Sequence, residues 1–267
     1  MSASPSVTAG LLVIGDEILS GRTKDVNIGT VAEFCTDLGI ELSEVRVVPD
    51  VTEEICGALN AMRGRYTYIF TTGGIGPTHD DITADAVAKA FGVALPINPE
   101  ARAMLEARWR DSGTEVTESR LRMARIPEGA SLIINSVSAA PGFRIGNVHV
   151  MAGVPKIMKA MLEALAPTLQ GGRKVYSMSI PSRVGEGAIG DAFAALQQQF
   201  PDVRLGSYPK MGSVGGVMTD LVARSPDVAR LAEAARAVHA MVAELQAAAG
   251  LPPPDPLEPA PSTGDLN

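Results

Sequence analysis

The sequence predicts an α/β protein in which a three-layer, doubly wound and mostly parallel sheet is followed by a smaller α+β domain. Short apolar segments alternate with segments of helical periodicity, and this alternation is typical of right-handed βαβ units. Beyond Gly171 and Gly172 the predicted order changes to strand, helix, two strands and helix. We therefore expect an α/β domain at residues 1–170, an α+β domain at 171–249 and a tail at 250–267.

The first part of the chain is predicted to alternate strands with amphipathic helices. Gly39 and Gly92 follow two of these helices at the position where glycine commonly ends a helix. Thr52 is expected to cap the helix that begins at residue 53, whose first turn is acidic. Strands are predicted at 9–14, 40–48 and 66–72, and helices at 27–38, 53–62 and 82–91.

The remainder of the first domain is predicted to contain further helices and a hairpin. Gly146 and Asn147 are typical of a hairpin turn between two apolar strands. Pro155 suits the first turn of a helix rich in Met and Leu, whose methionines are expected in the core. Helices are predicted at 99–112, 115–124 and 155–165, and strands at 131–135, 143–145 and 148–151.

The second domain and the tail differ sharply in composition. Strands are predicted at 173–180, 203–208 and 214–222, and helices at 185–200 and 226–249. The last segment, 250–267, contains six prolines and almost no apolar periodicity, so we expect it to be disordered.

Bulk composition limits the classes of function. A hydrophobic share of 46% in 267 residues supports a substantial core. The formal net charge of −7 gives no electrostatic footprint for nucleic acid or for an anionic membrane. We find no targeting segment and no apolar stretch long enough to span a membrane, and we expect a cytoplasmic protein. Cys35 and Cys56 are expected to be reduced, packed thiols.

The segment from residue 71 to residue 85 is the strongest candidate for a functional site. Gly73, Gly74 and Gly76 follow a predicted buried strand and precede a helix, so several backbone N–H groups can approach a phosphate there. Asp80 and Asp81 with Asp85 place carboxylates beside that anion site. They would repel phosphate unless a divalent metal bridged them, so phosphate and Mg²⁺ are expected together. The alternative is structural: a tight glycine turn, with Asp81 as a helix N-cap.

Other polar residues follow the neighbouring predicted strands. Asp50 ends the second strand and is expected at the same sheet edge as Thr72, although Pro-Asp before Thr52 is also an ordinary turn. Asp16 and Glu17 follow the first strand and could reach the same metal or a ribose, while Ser20 and Gly21 could donate to phosphate. An Asx turn that orders only its own loop is an equally good interpretation of Asp16.

Three motifs resemble a known family. The segment TTGGIGPTHDDITADAVA, residues 71–88, resembles the signature of the molybdopterin-binding domain family, which includes the MoaB and Mog proteins of molybdenum-cofactor biosynthesis. GDEILSG, residues 15–21, is similar to the opening of the CinA (competence/damage-inducible protein A) branch. The APG motif at 140–142 and the segment AGVP at 152–155 are similar to later CinA loops. The resemblance extends from about residue 8 to about residue 166.

The resemblance implies both a site and a set of candidate functions. Members of the Mog branch bind molybdopterin and its adenylylated form, whereas the CinA branch is associated with metal-dependent hydrolysis of nucleotide pyrophosphates such as ADP-ribose. Related domains are fused in eukaryotic FAD synthases, and this chain ends before the amidase domain of full-length CinA. Asp50 and Asp81 match the family's metal-holding catalytic aspartates, for Mg²⁺ or else Co²⁺ or Mn²⁺. Phosphate or ligand contacts are expected at Gly15, Asp16, Glu17, Ser20, Gly21, Thr72, Gly73, Gly74, Gly76, Pro77, Thr78, Asp85, Asn135, Pro141, Gly142, Gly153 and Pro155.

The sequence departs from the family pattern in two loops. It has Asn-Ser-Val-Ser at 135–138 where relatives more often have Gly-Thr before Ala-Pro-Gly, and Ala152 replaces a usual proline. Three hypotheses stay open at this point: a metal-dependent pyrophosphatase acting on a nucleotide, a binding protein for molybdopterin or another pterin phosphate, and a regulatory protein with a vestigial pocket. In each case we expect a homo-oligomer, either a dimer or a trimer.

Overall fold

The computed structural model describes residues 7–210 and 216–260. The chain divides into two compact units, and the division falls after Arg173. The two units are described separately below. Across the described residues, no helix combines the length and the apolar character that crossing a membrane requires.

The first unit is built on a six-stranded sheet. The strands are β1 (Thr8–Ile14), β2 (Glu41–Val48), β3 (Tyr68–Thr72), β4 (Ser131–Ile133), β5 (Gly142–Ile145) and β6 (Val148–Met151). Their order in the sheet is β2-β1-β3-β6-β5-β4. Three of the pairings are parallel, β2 with β1, β1 with β3 and β3 with β6, and the other two are antiparallel.

Helices cover both faces of this sheet. They are α1 (Asp16–Leu19), α2 (Asn27–Asp37), α3 (Thr52–Arg63), α4 (Thr83–Phe91), α5 (Pro99–Ser112), α6 (Glu118–Leu121) and α7 (Pro155–Leu165), and a 3-10 turn follows α6 at Arg122–Ala124.

Alternate residues of β1 face two separate apolar cores, because successive side chains of a strand point to opposite faces. Leu12 and Ile14 pack into the core beneath α3, α4 and α5. Leu11 and Val13 pack into the core beneath α2 and α7. The predicted three-layer α/β class is confirmed.

Several predicted boundaries differ from the structure. Residues 16–19 form a short helix where a loop was expected, and 115–117 precede α6 instead of belonging to it. Val51 occupies the N-cap position of α3, so Thr52 lies inside the helix and the predicted cap is wrong. The strand predicted at 131–135 ends at Ile133, because the side chain of Asn135 bonds to its own loop.

The second unit is a three-stranded antiparallel sheet with two helices. Its strands are in the order β7-β9-β8, and its core includes Ile180 and Leu221 on the sheet and Val238 on the long helix. The elements are β7 (Tyr176–Ser182), α8 (Glu186–Gln199), β8 (Arg204–Pro209), β9 (Thr219–Ser225) and α9 (Val228–Ala248).

Two strands of the second unit lie further along the chain than predicted. β7 begins three residues later than the predicted 173–180, and β9 runs to Ser225 where 214–222 was expected. Part of that prediction, residues 211–215, lies outside the described residues. Asp227 caps α9 by accepting from the N–H groups of Ala229 and Arg230, which sets the start of the helix two residues after Pro226.

Residues 251–260 were expected to be part of a disordered tail, and the structure differs there. The segment has neither helix nor strand, yet Leu257 and Ala260 pack against the core of the second unit. The amide of Gln246 donates to the carbonyl of Pro252, and Arg183 donates to the carbonyl of Pro253. Apolar contacts at two positions explain the order that proline content alone did not predict. Residues 261–267 lie outside the described residues.

The free thiols of both cysteines are packed. Cys35 is buried and Cys56 is half-buried. Burial raises the pKa of the Cys35 thiol to about 12, so this group stays protonated at neutral pH and behaves as a small apolar side chain.

Candidate functional site at the carboxyl edge of the sheet

Three parallel strands end together and bring three loops to one edge of the sheet. Ile14, the last residue of β1, pairs with Val48 at the end of β2, and Val13 pairs with Thr72 at the end of β3. The loops that begin at residues 15, 49 and 73 therefore emerge side by side. In open α/β sheets this edge is where ligands bind.

The glycine loop after β3 has a backbone that only glycine accommodates. Gly73 and Gly74 have φ angles of 105° and 65°, a region that other residues rarely adopt. A Cβ at Gly73 would overlap the carbonyl oxygen of Ile14, and one at Gly74 would overlap the hydroxyl of Thr83. Thr83 holds the loop closed, since its hydroxyl donates to the Gly73 carbonyl at 2.9 Å and its N–H donates to the Gly74 carbonyl at 3.0 Å.

Asp81 is held by the loop that precedes it. Its Oδ2 accepts from the N–H of Thr78 at 2.8 Å and from the Thr78 hydroxyl at 2.5 Å. Ile82, not Asp81, occupies the N-cap position of α4, so the interpretation of Asp81 as a helix cap is wrong. A Cβ at Gly76 would lie 2.6 Å from the same carboxylate oxygen. Gly76 thus allows the carboxylate to lie against the backbone of the glycine loop.

Asp50 links the loops that follow β1 and β2. Its Oδ2 accepts from the N–H of Asp16 at 2.9 Å, and this bond joins loops that are 34 residues apart in sequence. Partial burial raises the pKa of the Asp50 carboxyl, and the nearby charges of Asp16, Glu17 and Asp80 raise it further, against the effect of the Asp16 hydrogen bond. A concentration of negative charge of this kind favours a bound cation.

A divalent metal can be held either by a full set of protein ligands or by a few carboxylates together with water and substrate. In the part of the chain that the structure describes, no three His, Cys, Asp or Glu side chains converge as a ready-made metal site. Mg²⁺ commonly takes only one or two protein carboxylates and completes its shell with water and phosphate oxygens. Asp50 and Asp81, each on a loop at this edge of the sheet, are carboxylates of the type that this second mode uses.

A cleft opens between the glycine loop and the segment at 122–126. Asp81, Asp85, Arg122 and Arg125 line this small, open cleft together with glycine-loop and apolar residues. Asp85 and Arg125 form a two-pronged ion pair with N–O distances of 2.5 and 3.2 Å. Arg122 donates from Nη2 to the backbone carbonyl of Asp81 at 3.3 Å.

The structure places the remaining predicted residues in several different roles. Pro141 lines the cleft, whereas Asn135 accepts from the N–H groups of Val137 and Ser138 and donates to the carbonyl of Ala140. Asn135 therefore shapes the loop that leads to Pro141, and its polar atoms face its own backbone. A Cβ at Gly142 would overlap the carbonyl of Val150, so this glycine permits close strand pairing.

In the loop that follows β1, several backbone N–H groups already donate to carbonyl oxygens of the protein. The N–H of Gly15 donates to the carbonyl of Val48 at 3.1 Å. The N–H groups of Ser20 and Gly21 donate to carbonyls within the turn that ends α1. These two N–H groups are therefore not free to donate to phosphate as expected, and only the exposed Ser20 hydroxyl remains.

Four further predicted positions lie at or after the ends of β3 and β6. Gly153 packs against Gly73, since a Cβ there would lie 3.2 Å from the Gly73 Cα, and Pro155 begins α7. The hydroxyl of Thr72 is buried and has no hydrogen-bond partner among the described residues, which leaves it available to a ligand or a water. Pro77 is exposed in the glycine loop.

Sequence reasoning missed three residues that build this site: Thr83, Arg122 and Arg125. The only available signal for the arginines was a helical segment at 99–124 rich in Arg. Nothing in its spacing indicated that residues 122 and 125 would face Asp81 and Asp85, about forty positions earlier in the chain.

An open α/β sheet with a glycine loop and aspartates at its carboxyl edge defines this unit as a ligand-binding α/β domain. The family model described as a probable molybdopterin binding domain matches residues 10–171, and the chain belongs to this family. The predicted family is confirmed. A second model matches residues 174–248. It is described as the middle domain of FAD synthase, not as an amidase domain.

Relatives and a solved structure place the chain near CinA-like proteins. A protein of Aeropyrum pernix is 35% identical over 78% of this chain and 81% of its own length. A CinA-like protein of Desulfosudis oleivorans is 34% identical over 76% of this chain and 51% of its own length, so this chain spans about half of that relative. The crystal structure of the protein CinA with unknown function from Thermoplasma acidophilum matches with a TM-score of 0.57 and 35% identity, over 62% of this chain and 99% of the other.

Proposed function

We propose that this protein hydrolyses the phosphoanhydride bond of a nucleotide such as ADP-ribose in a metal-dependent reaction. The observation that supports this most directly is the pair of aspartates at the glycine-loop edge, each held by a backbone N–H group. A site that only bound an anion would be weakened by carboxylates beside it. A site for a phosphoanhydride with its metal requires them.

The residues of the site have separable tasks in this proposal. Asp50 and Asp81 would hold Mg²⁺, or else Co²⁺ or Mn²⁺, which would neutralise the phosphate charge and polarise the phosphoanhydride when bound. Gly74 and Gly76 would bring backbone N–H groups to the phosphate oxygens, whereas the N–H of Gly73 already donates to the carbonyl of Met151 at 3.2 Å. The Thr78 hydrogen bonds to Asp81 fix the carboxylate before substrate arrives, so that less ordering is needed during binding.

The experiment is a hydrolysis screen of purified protein against ADP-ribose, FAD and NAD with Mg²⁺ or Co²⁺, and with EDTA in parallel. FAD is included because residues 174–248 match the FAD synthase middle domain. Turnover is expected with metal, and Asp50→Asn should remove it. Asp37→Asn, an exposed aspartate at the end of α2, is the matched control and should retain it. Turnover that survives EDTA and Asp50→Asn equally would exclude the proposed reaction.

A second candidate function is binding of molybdopterin or its adenylylated form without turnover. The description of the matching family, a probable molybdopterin binding domain, supports it. In this case no nucleotide would be hydrolysed in the screen. A phosphorylated pterin would instead raise the melting temperature, because a ligand that binds only the folded state stabilises it.

A further inference from the structure

Among the described residues, Arg122 is the arginine of the cleft that has no carboxylate partner. It begins the 3-10 turn at Arg122–Ala124, and the backbone on its carboxyl side is anchored. The carbonyl of Ala124 accepts from the N–H of Asn98 at 2.8 Å, and the N–H of Ile126 donates to the carbonyl of Pro96 at 3.1 Å. Ala124 and Ile126 are both buried. The base of the Arg122 side chain is therefore attached to a fixed part of the fold.

The two arginines of the cleft are used differently. Arg125 gives two of its N–H groups to the carboxylate of Asp85, so its charge is already balanced. None of the described residues places a carboxylate in ion-pair contact with Arg122, whose hydrogen bond goes to a neutral carbonyl, that of Asp81.

The Nε of Arg122 is buried and has no hydrogen-bond partner among the described residues. A buried N–H without a partner is unfavourable, more so in a charged group. In native proteins such a group often marks a place that a bound ion or water completes. An arginine edge carries parallel N–H groups that match two oxygens of a phosphate.

We propose that the guanidinium group of Arg122 binds a phosphate of the substrate in this cleft. The inference rests on the proposed function, because it assigns the cleft to a phosphoanhydride. Arg122 also donates to the backbone of Asp81, so the phosphate lies beside the carboxylate that is assigned to the metal. Arg122 therefore supplies the positive charge that offsets Asp81, because Asp85 is already paired with Arg125.

Binding of inorganic pyrophosphate, measured by calorimetry in the presence of Mg²⁺, tests this role without any turnover. Arg122→Gln should weaken binding roughly 10- to 100-fold, the range for one lost hydrogen bond to a charged group. Arg122→Lys keeps the charge but loses the fork of N–H groups, so its affinity for pyrophosphate should lie between those of the wild type and Arg122→Gln. Arg120→Gln is the matched control, since Arg120 bonds to the carbonyl of Glu115 and does not line the cleft, and it should bind as the wild type does.

The outcomes separate this inference from the proposed reaction. Equal affinity of wild type and Arg122→Gln, equal losses in Arg122→Gln and Arg120→Gln, or no pyrophosphate binding by the wild type would each overturn the role of Arg122. Pyrophosphate binding that depends on Arg122, in a protein that hydrolyses no nucleotide, would keep the phosphate site and exclude the reaction. If nucleotides are hydrolysed, the KM for ADP-ribose should rise in Arg122→Gln, with Arg122→Lys between it and the wild type.

Discussion

Asp50 follows β2 and Asp81 follows β3 at the same edge of the sheet, yet the surroundings of the two carboxylates differ. Asp50 accepts from the N–H of Asp16 at 2.9 Å, and Asp81 accepts from the N–H of Thr78 at 2.8 Å. Asp50 lies among other carboxylates, and burial and these charges raise its pKa. Asp81 lines a cleft that also contains two arginines. The surroundings of Asp50 are thus mostly acidic, whereas those of Asp81 carry charges of both signs.

The largest effect is expected from Asp81→Asn. The substitution removes the charge but leaves an amide oxygen that accepts from Thr78, so the melting temperature should stay near that of the wild type. Turnover should fall at least about 100-fold, because the proposed ligand of the metal is lost. Raising the Mg²⁺ concentration should restore part of the rate. Wild-type turnover in this variant would exclude Asp81 as a ligand of the catalytic metal.

Gly73→Ala tests the close contact between the glycine loop and the end of β1. Gly73 has a φ of 105° and lies against the carbonyl of Ile14, so a methyl group there should cost roughly 2–4 kcal/mol of unfolding free energy. Gly57→Ala is the matched control, because Gly57 lies inside α3 with open space around it. That variant should be more stable by about 0.5–1 kcal/mol. Chemical denaturation measures both, and equal stability of the two variants would contradict the close contact at Ile14.

The smallest effect is expected from the pH dependence of Asp50→Asn without added metal. A carboxyl whose pKa is raised by folding favours the folded state at low pH, and this contribution is lost as pH rises through the folded pKa. At neutral pH the wild type therefore carries an unfavourable charge that asparagine lacks. The variant should melt slightly higher at pH 7, and the difference should shrink on acidification below the ordinary carboxyl range. Melting curves across this pH range would refute the assignment if the wild type were the more stable at pH 7.

Local patterns were sufficient to predict the fold class and the glycine loop. The alternation of Leu11 and Leu12 toward opposite cores follows from strand geometry, and Gly73 and Gly74 do adopt the positive φ that their sequence context indicated. These features depend on residues close together in the chain. The prediction of them therefore required no knowledge of tertiary contacts.

Pairings between distant residues were not predictable in this way. Asp85 and Arg125 are 40 positions apart, and Asp50 and Asp16 meet only because β1 and β2 are neighbours. The sequence left open a structural role for Asp81 as a helix cap, and the structure shows instead that Thr78 donates to its carboxylate. The metal and ligand contacts of the predicted site residues stay predictions until the hydrolysis and binding experiments are made.

The packed segment at 251–260 has a practical consequence for anyone who wishes to isolate the second unit. The family match ends at residue 248, and a fragment cut there would lack Leu257 and Ala260. Gln246 is fully buried, and its amide would lose the Pro252 carbonyl that it donates to. The fragment would present an uncovered apolar surface together with an unmatched polar group, and both promote self-association. A fragment that extends through Ala260 should remain dispersed.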